Sequence, residues 1–182
     1  MKITFITGNA AKAEQLAKHL DHPIEHKKID LPEIQSLDLE EIIEHKAKEA
    51  YKIIQSPVIV DDVSLKFNAL GKLPGAFIRW FLDELGTAGL CKLLDGYSDR
   101  TSTGKICLGF YDGNVFKVFS EEVKGSMPLS PRGELGFGWD PIFIPNGYKK
   151  TWAEMEDSER NETYIRPKAL KKLEKFLKED YL

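Results

Sequence analysis

The chain reads as an α/β fold, and three stretches of sequence carry that reading. Ile3-Thr4-Phe5-Ile6 runs through Thr7-Gly8-Asn9 into a helix, and Val58-Ile59-Val60 is an all-apolar run behind a long amphipathic helix. Asp112-Gly113-Asn114 lies between two β-prone runs. Strand, turn and helix in succession is the unit of open sheets, and an all-apolar strand suits the buried centre of a parallel one. An Asp-Gly turn between β-prone runs marks an antiparallel hairpin. The order is therefore α/β at the front with an antiparallel addition in the middle.

Taken in order, the first helix covers Ala10 to Leu20, with Ala13, Leu16, Ala17 and Leu20 on one stripe and Asp21-His22-Pro23 as its stop. Ile24 to Ile29 is a weak strand. Asp38-Leu39-Glu40-Glu41 reads as a capping box that opens a helix to about Gln55. The Val58 to Val60 strand follows, then a helix-rich stretch from Ala76 to Leu94. Thr101 to Tyr111 and Val115 to Ser120 flank the hairpin turn. Pro128 to Gly138 is a loop, Pro141-Ile142-Phe143-Ile144 a further strand, and Pro167 to about Lys178 a closing helix. Pro167 suits the first turn of that helix and nothing deeper.

A chain of 182 residues fits one domain, with room for a subsidiary lobe. A net charge of −3 argues against a broad nucleic-acid surface, which needs a basic face. The apolar runs fall short of a membrane span, and the N-terminus lacks a signal-peptide layout. Cys91 and Cys107 stand singly among apolar residues, which reads as two reduced, buried thiols in a cytoplasmic protein.

The first turn is built like a phosphate seat. Main-chain N–H groups and a helix N-terminus favour an anion there, Thr7 and Asn9 carry polar side chains, and Lys12 adds a full charge. Three further positions break the patterns around them. Lys46 falls inside the apolar stripe Leu39, Ile42, Ile43, Ala47, Ala50 and Ile54, so it either snorkels to water or meets an anion. Asp61-Asp62 follow the Val58 to Val60 run, where adjacent carboxylates are placed for a divalent cation or a strand-ending cap. Hard oxygen ligands beside phosphate favour Mg²⁺, although consecutive strand residues face opposite ways. Glu33, between a strand and a helix, is a further carboxylate. Gly136-Phe137-Gly138-Trp139-Asp140-Pro141 sets large aromatics between glycines, suited to stacking on a flat ligand or to packing on the core.

These stretches resemble the inosine triphosphate pyrophosphatase family, the house-cleaning enzymes that hydrolyse noncanonical purine nucleoside triphosphates. The matching segments are Thr7 to Lys12, Leu31 to Gln35, Val60-Asp61-Asp62, Phe67 to Gly75, Gly136 to Phe143 and Ala153-Glu154-Met155. The resemblance covers nearly the whole chain. It implies an elongated mixed central sheet with flanking helices, a single domain over residues 1–182 whose two lobes surround a deep nucleotide cleft, and a homodimer. By position it makes Thr7, Asn9, Lys12 and Lys46 phosphate ligands. Glu33 and Asp62, with Asp61 as a less certain second carboxylate, become the Mg²⁺ ligands, and Asp62 the group that orients and deprotonates water. Phe137 stacks on the base, Trp139 and Asp140 line the base and sugar pocket, and Arg160 and Arg166 lie near base and phosphates.

One departure stands out. The family usually carries Ser-His-Arg ahead of its last helix, and this chain has Tyr164-Ile165-Arg166. Loss of the histidine's polar contacts leaves base choice open, so the expected substrates ITP, dITP and XTP stand beside modified or pyrimidine nucleotides. A nucleotide-binding regulator without hydrolysis is the other alternative, against which the retained Asp62, Glu33, Lys12 and Lys46 argue. Pro74 to Trp80, with Arg79, reads as packing at a lobe or dimer contact at least as readily as a ligand contact.

Overall fold

The structure is a computed structural model that describes residues 2–20 and 23–181. Its strands form a mixed seven-stranded sheet in the order β2-β1-β3-β5-β6-β7, with β4 paired to β3. The chain divides into two compact units. The first comprises Met1–Asp62, Ile106–Glu121 and Arg166–Leu182, and the second Val63–Lys105 and Glu122–Ile165.

In the first unit, β1 (Ile3–Ile6) leads through the turn to α1 (Ala10–His19) and returns as β2 (Ile24–Lys27). Strand β1 pairs in parallel with both β2 and β3, its Ile6 lying opposite Lys27 and Val60. The α1 stripe is narrower than its periodicity suggested: Leu16 and Leu20 are buried, Ala13 is half-buried and Ala17 exposed. The helix ends where the Leu20 N–H donates to the Leu16 carbonyl. The predicted stop at Asp21-His22 lies outside the described residues.

Helix α2 (Leu39–Ile54) buries Leu39, Ile42, Ile43, Ala47 and Ala50, while Ile54 is half-buried. Isolated helices of this length are marginal in water, and its isoleucines lower helix propensity further. Burial of its three large apolar side chains contributes at most about 5–9 kcal/mol, so packing holds this helix. Asp38 caps it by accepting from the Glu40 N–H, but the capping box does not close. Glu41 instead accepts from the Ser36 hydroxyl, which itself takes the Asp38 N–H. A local serine therefore displaces the reciprocal bond.

Strand β3 spans Val58–Phe67 and does not end at Val60. Its parallel ladder with β1 stops at Val60, and antiparallel pairing with β4 (Pro74–Gly75) resumes at Leu65. The all-apolar run marks only the fully buried third. Beyond it Asp61 is still buried and residues 62–64 are half-buried, and because the strand continues to Phe67 Asp61-Asp62 sit mid-strand, just past the end of β1.

The second unit holds the rest of β3 and α3 (Ile78–Lys92), which breaks at Gly86 where φ is +65° and ψ 176°. The hairpin of β5 (Thr101–Tyr111) and β6 (Phe116–Ser126) runs through both units. Asp112 forms its turn by accepting from the N–H groups of Asn114 and Val115. Strand β6 outlasts the expected Ser120 because its continuation is polar and carries no alternation signal. The predicted strand at Pro141 to Ile144 is instead a 3-10 turn over Asp140–Ile142 followed by the two-residue β7 (Ile144–Pro145). Proline cannot donate to a ladder and suits the first turn of a helix, which explains the difference. Helices α4 (Asp157–Thr163) and α5 (Ile165–Phe176) close the chain, with Pro167 in the first turn of α5. Among the described residues no helix is long and apolar enough to cross a membrane. Cys91 and Cys107 are both buried, and among the described residues neither is in a disulfide.

Candidate active site

Within the first unit, the turn after β1 is ordered by its own polar groups. The Thr7 N–H donates to the Lys27 carbonyl, and the Thr7 hydroxyl oxygen accepts from the Asn9 N–H at 3.1 Å. Asn9 is the N-cap of α1, its Oδ1 accepting from the N–H groups of Ala11 and Lys12. That use leaves the Asn9 amide nitrogen and the Thr7 hydroxyl proton as side-chain donors. Two neighbours in the turn were not foreseen. His26 Nε2 donates to the Thr7 carbonyl at 2.8 Å, and the Lys28 stem runs within 4 Å of where a Cβ on Gly8 would stand. Both come from β2 and its end, and only the β1–β2 register brings them there.

Asp61 and Asp62 send their carboxylates to different partners, as alternation along a strand requires. Asp61 is 3% exposed, and its Oδ2 lies 3.0 Å from Lys12 Nζ and 2.7 Å from an Arg166 guanidinium nitrogen. Burial alone would raise the pKa of this carboxyl. Lys12 and Arg166 outweigh it and hold the group well below the ordinary aspartate range. Arg166, on the first turn of α5, is itself buried, so the pair is mutually dependent.

Asp62 is half-buried and meets Lys46 Nζ at 3.4 Å, and the same ammonium donates to Glu33 Oε1 at 2.7 Å. Lys46 does not snorkel to open water: its side chain is 15% exposed. Burial pulls its pKa down, but Asp62 and Glu33 prevail and raise it. Two carboxylates from separate segments thus converge on one cation. Asp61 directs its carboxylate to Lys12 and Arg166 instead, as strand alternation dictates. Among the described residues no group of three or more histidine, cysteine or acidic side chains gathers at one point.

In the second unit the glycine-aromatic loop folds on Asp140. This carboxylate is 3% exposed and accepts from the Phe137 N–H at 3.0 Å and the Tyr164 hydroxyl at 3.2 Å. Gly136 has φ +79°, and a Cβ there would stand 2.1 Å from Asp140 Oδ2, so glycine is required twice over. Trp139 is buried against Phe143 and Trp152, with ring centroids 5.3 and 5.2 Å away. Both Trp139 and Asp140 are thus engaged in the protein's own packing, whereas Phe137 is only half-buried. Arg160 pairs with Asp157 and lays its guanidinium over the Tyr164 ring, 5.5 Å from the centroid.

The Ham1 family matches residues 3–176. Inosine triphosphate pyrophosphatase 2 of Trypanosoma cruzi is 43% identical over 93% of this chain and 88% of its own length. The Staphylococcus aureus Ham1 protein superimposes with a TM-score of 0.86 at 26% identity, over 98% of each chain. A nucleoside-triphosphatase, dITP/XTP pyrophosphatase, of Mycobacterium abscessus gives 0.78 at 27% identity, over 95% of this chain and 98% of that one. With sequence match and fold agreeing across nearly its full length, this chain belongs to the Ham1 family.

Proposed function

We propose that this chain is a Mg²⁺-dependent pyrophosphohydrolase that cleaves noncanonical purine nucleoside triphosphates (ITP, dITP, XTP) to a monophosphate and pyrophosphate. The enzyme class follows from its relatives, which are named inosine triphosphate and dITP/XTP pyrophosphatases. The single observation that carries the mechanism is Lys46, which leaves an apolar helix face to end on Glu33 and Asp62.

The donor set fits Mg²⁺. That ion is commonly held by one or two carboxylates together with substrate phosphates, so a pair converging on one positive charge is sufficient protein ligation. When bound, Mg²⁺ would supply charge neutralisation on the polyphosphate and acidify a coordinated water.

The rest is the work of this chain's residues. Thr7, Asn9 and the α1 N-terminus seat phosphate oxygens, and Lys12 and Lys46 exchange carboxylate partners for the triphosphate. Asp62 orients water for in-line attack on the α-phosphorus and takes its proton. Phe137 stacks on the base, its loop fixed by Asp140 and backed by Trp139, with Arg160 and Arg166 supplying positive charge to base and phosphates. The buried cysteines, not joined in a disulfide, favour a cytoplasmic setting, and a homodimer is the expected assembly, which sedimentation would read directly.

A panel of nucleoside triphosphates with and without Mg²⁺, scored for pyrophosphate, tests the reading. ITP, dITP and XTP turning over only with the metal is the expected result. A preference for another base would support the altered-specificity reading, which Tyr164 and Ile165 favour. Binding without pyrophosphate release would support a regulator instead.

A further inference from the structure

Tyr164 occupies a place that a small residue usually fills in the resembling family, and in this chain it does three things at once. Its hydroxyl donates to Asp140, 3.2 Å from Oδ2 and 3.5 Å from Oδ1. Its ring carries the Arg160 guanidinium on one face. It also meets Trp152 edge-on, with centroids 4.9 Å apart at 81°. The residue is 8% exposed, so none of these contacts is diluted by water.

The partners of Tyr164 are the groups that shape the Phe137 loop. Asp140 Oδ2 also accepts from the Phe137 N–H, so hydroxyl, carboxylate and loop amide form one chain of bonds. Gly136 lies between the two arms: a Cβ there would meet Asp140 Oδ2 at 2.1 Å and an Arg160 guanidinium nitrogen at 3.2 Å. That Arg160 nitrogen, Nη1, is buried and, among the described residues, has no hydrogen-bond partner. A buried donor of this kind is costly unless something accepts from it. The tyrosine ring beneath fixes the guanidinium, so this donor has a defined place beside the loop.

We propose that Tyr164 is a positioning residue for base recognition, aligning the Phe137 loop through Asp140 and holding Arg160 ready for an acceptor atom on the base. The proposal rests on the reading of the Phe137 loop as the base-stacking element. It also gives the chain a way to orient a cation without the family's serine and histidine: an aromatic shelf orders Arg160. A keto-purine supplies the acceptor at its 6-oxygen, whereas adenine presents an amino donor there.

Steady-state kinetics of Tyr164→Phe test this, because the change removes one hydroxyl and keeps the shelf. Hydrogen bonds to charged groups are strong enough that KM for ITP should rise about tenfold. The kcat should stay within about twofold, and thermal unfolding should be nearly unchanged. In an Asp140→Asn background the same substitution should add little, since the hydroxyl acts through that carboxylate. Tyr164→Leu, which removes the shelf as well, should also narrow the ratio of kcat/KM between ITP and ATP. An unchanged KM in Tyr164→Phe, or an equal effect in both backgrounds, overturns the proposal and leaves the enzyme assignment standing. A wild-type protein idle on every purine triphosphate removes that assignment and this proposal together.

Discussion

Asp62 and Asp61 are neighbours with different partners, and the proposed mechanism gives them different roles. Asp62 shares Lys46 with Glu33 and is half-buried, so ligand and water can reach it. Asp62→Asn keeps the shape and loses the base, so kcat for ITP should fall about 10²- to 10⁴-fold while KM moves little. Normal turnover by that variant, in the same pyrophosphate assay, would refute the role. The Asp61 carboxylate pairs with two cations, half-buried Lys12 and buried Arg166. Asp61→Ala strands Lys12 and Arg166, and chemical denaturation should show a loss of about 3–5 kcal/mol. Because the folded-state pKa of Asp61 is depressed, its stabilisation is present above its unfolded value near ~4 and is lost as pH falls through the folded one. Wild-type unfolding free energy should therefore decline in acid below about pH 4, and Asp61→Asn should flatten that decline. An identical acid limb in both proteins would contradict the pairing.

At the scale of elements, the glycine-aromatic loop is the most exacting segment. Gly136 and Gly138 both have positive φ, but only Gly136 also abuts a carboxylate, whereas a Cβ on Gly138 meets open space. Gly136→Ala should therefore cost about 1–3 kcal/mol and raise KM by displacing the Phe137 amide from Asp140. Gly138→Ala bears the backbone strain alone and should cost about 1–2 kcal/mol with a smaller change in KM. Equal thermal midpoints and equal KM values for the two variants would rule out the Asp140 bond as the element that shapes the loop. The same scale shows what sequence could and could not disclose. The oddity of Lys46 was legible because helix periodicity is regular, and the structure delivers that side chain to Glu33 and Asp62. The length of β3 was not legible, since Asp61-Asp62 and Ser64 interrupt the apolar run and its later partner, β4, is only two residues long. Likewise Asp61 as the partner of Arg166 depends on α5 returning to a strand over a hundred residues earlier, which no local pattern encodes.

For the whole molecule, the mixed sheet and the order of elements were readable because each strand or helix carries its own period and punctuation. Where the reading failed, at the strand expected from Pro141 and at the capping box of α2, a proline and a serine competed locally with the expected pattern. The chemistry divides as the chain does: the first unit gathers the cations and carboxylates suited to a polyphosphate, and the second gathers the aromatics suited to a base. The proposed mechanism places attack on the phosphorus nearest the nucleoside. Hydrolysis of ITP in ¹⁸O-labelled water, followed by mass analysis of both products, tests this most directly. The label should enter the monophosphate and leave pyrophosphate unlabelled, whereas ¹⁸O in pyrophosphate or orthophosphate would contradict the account.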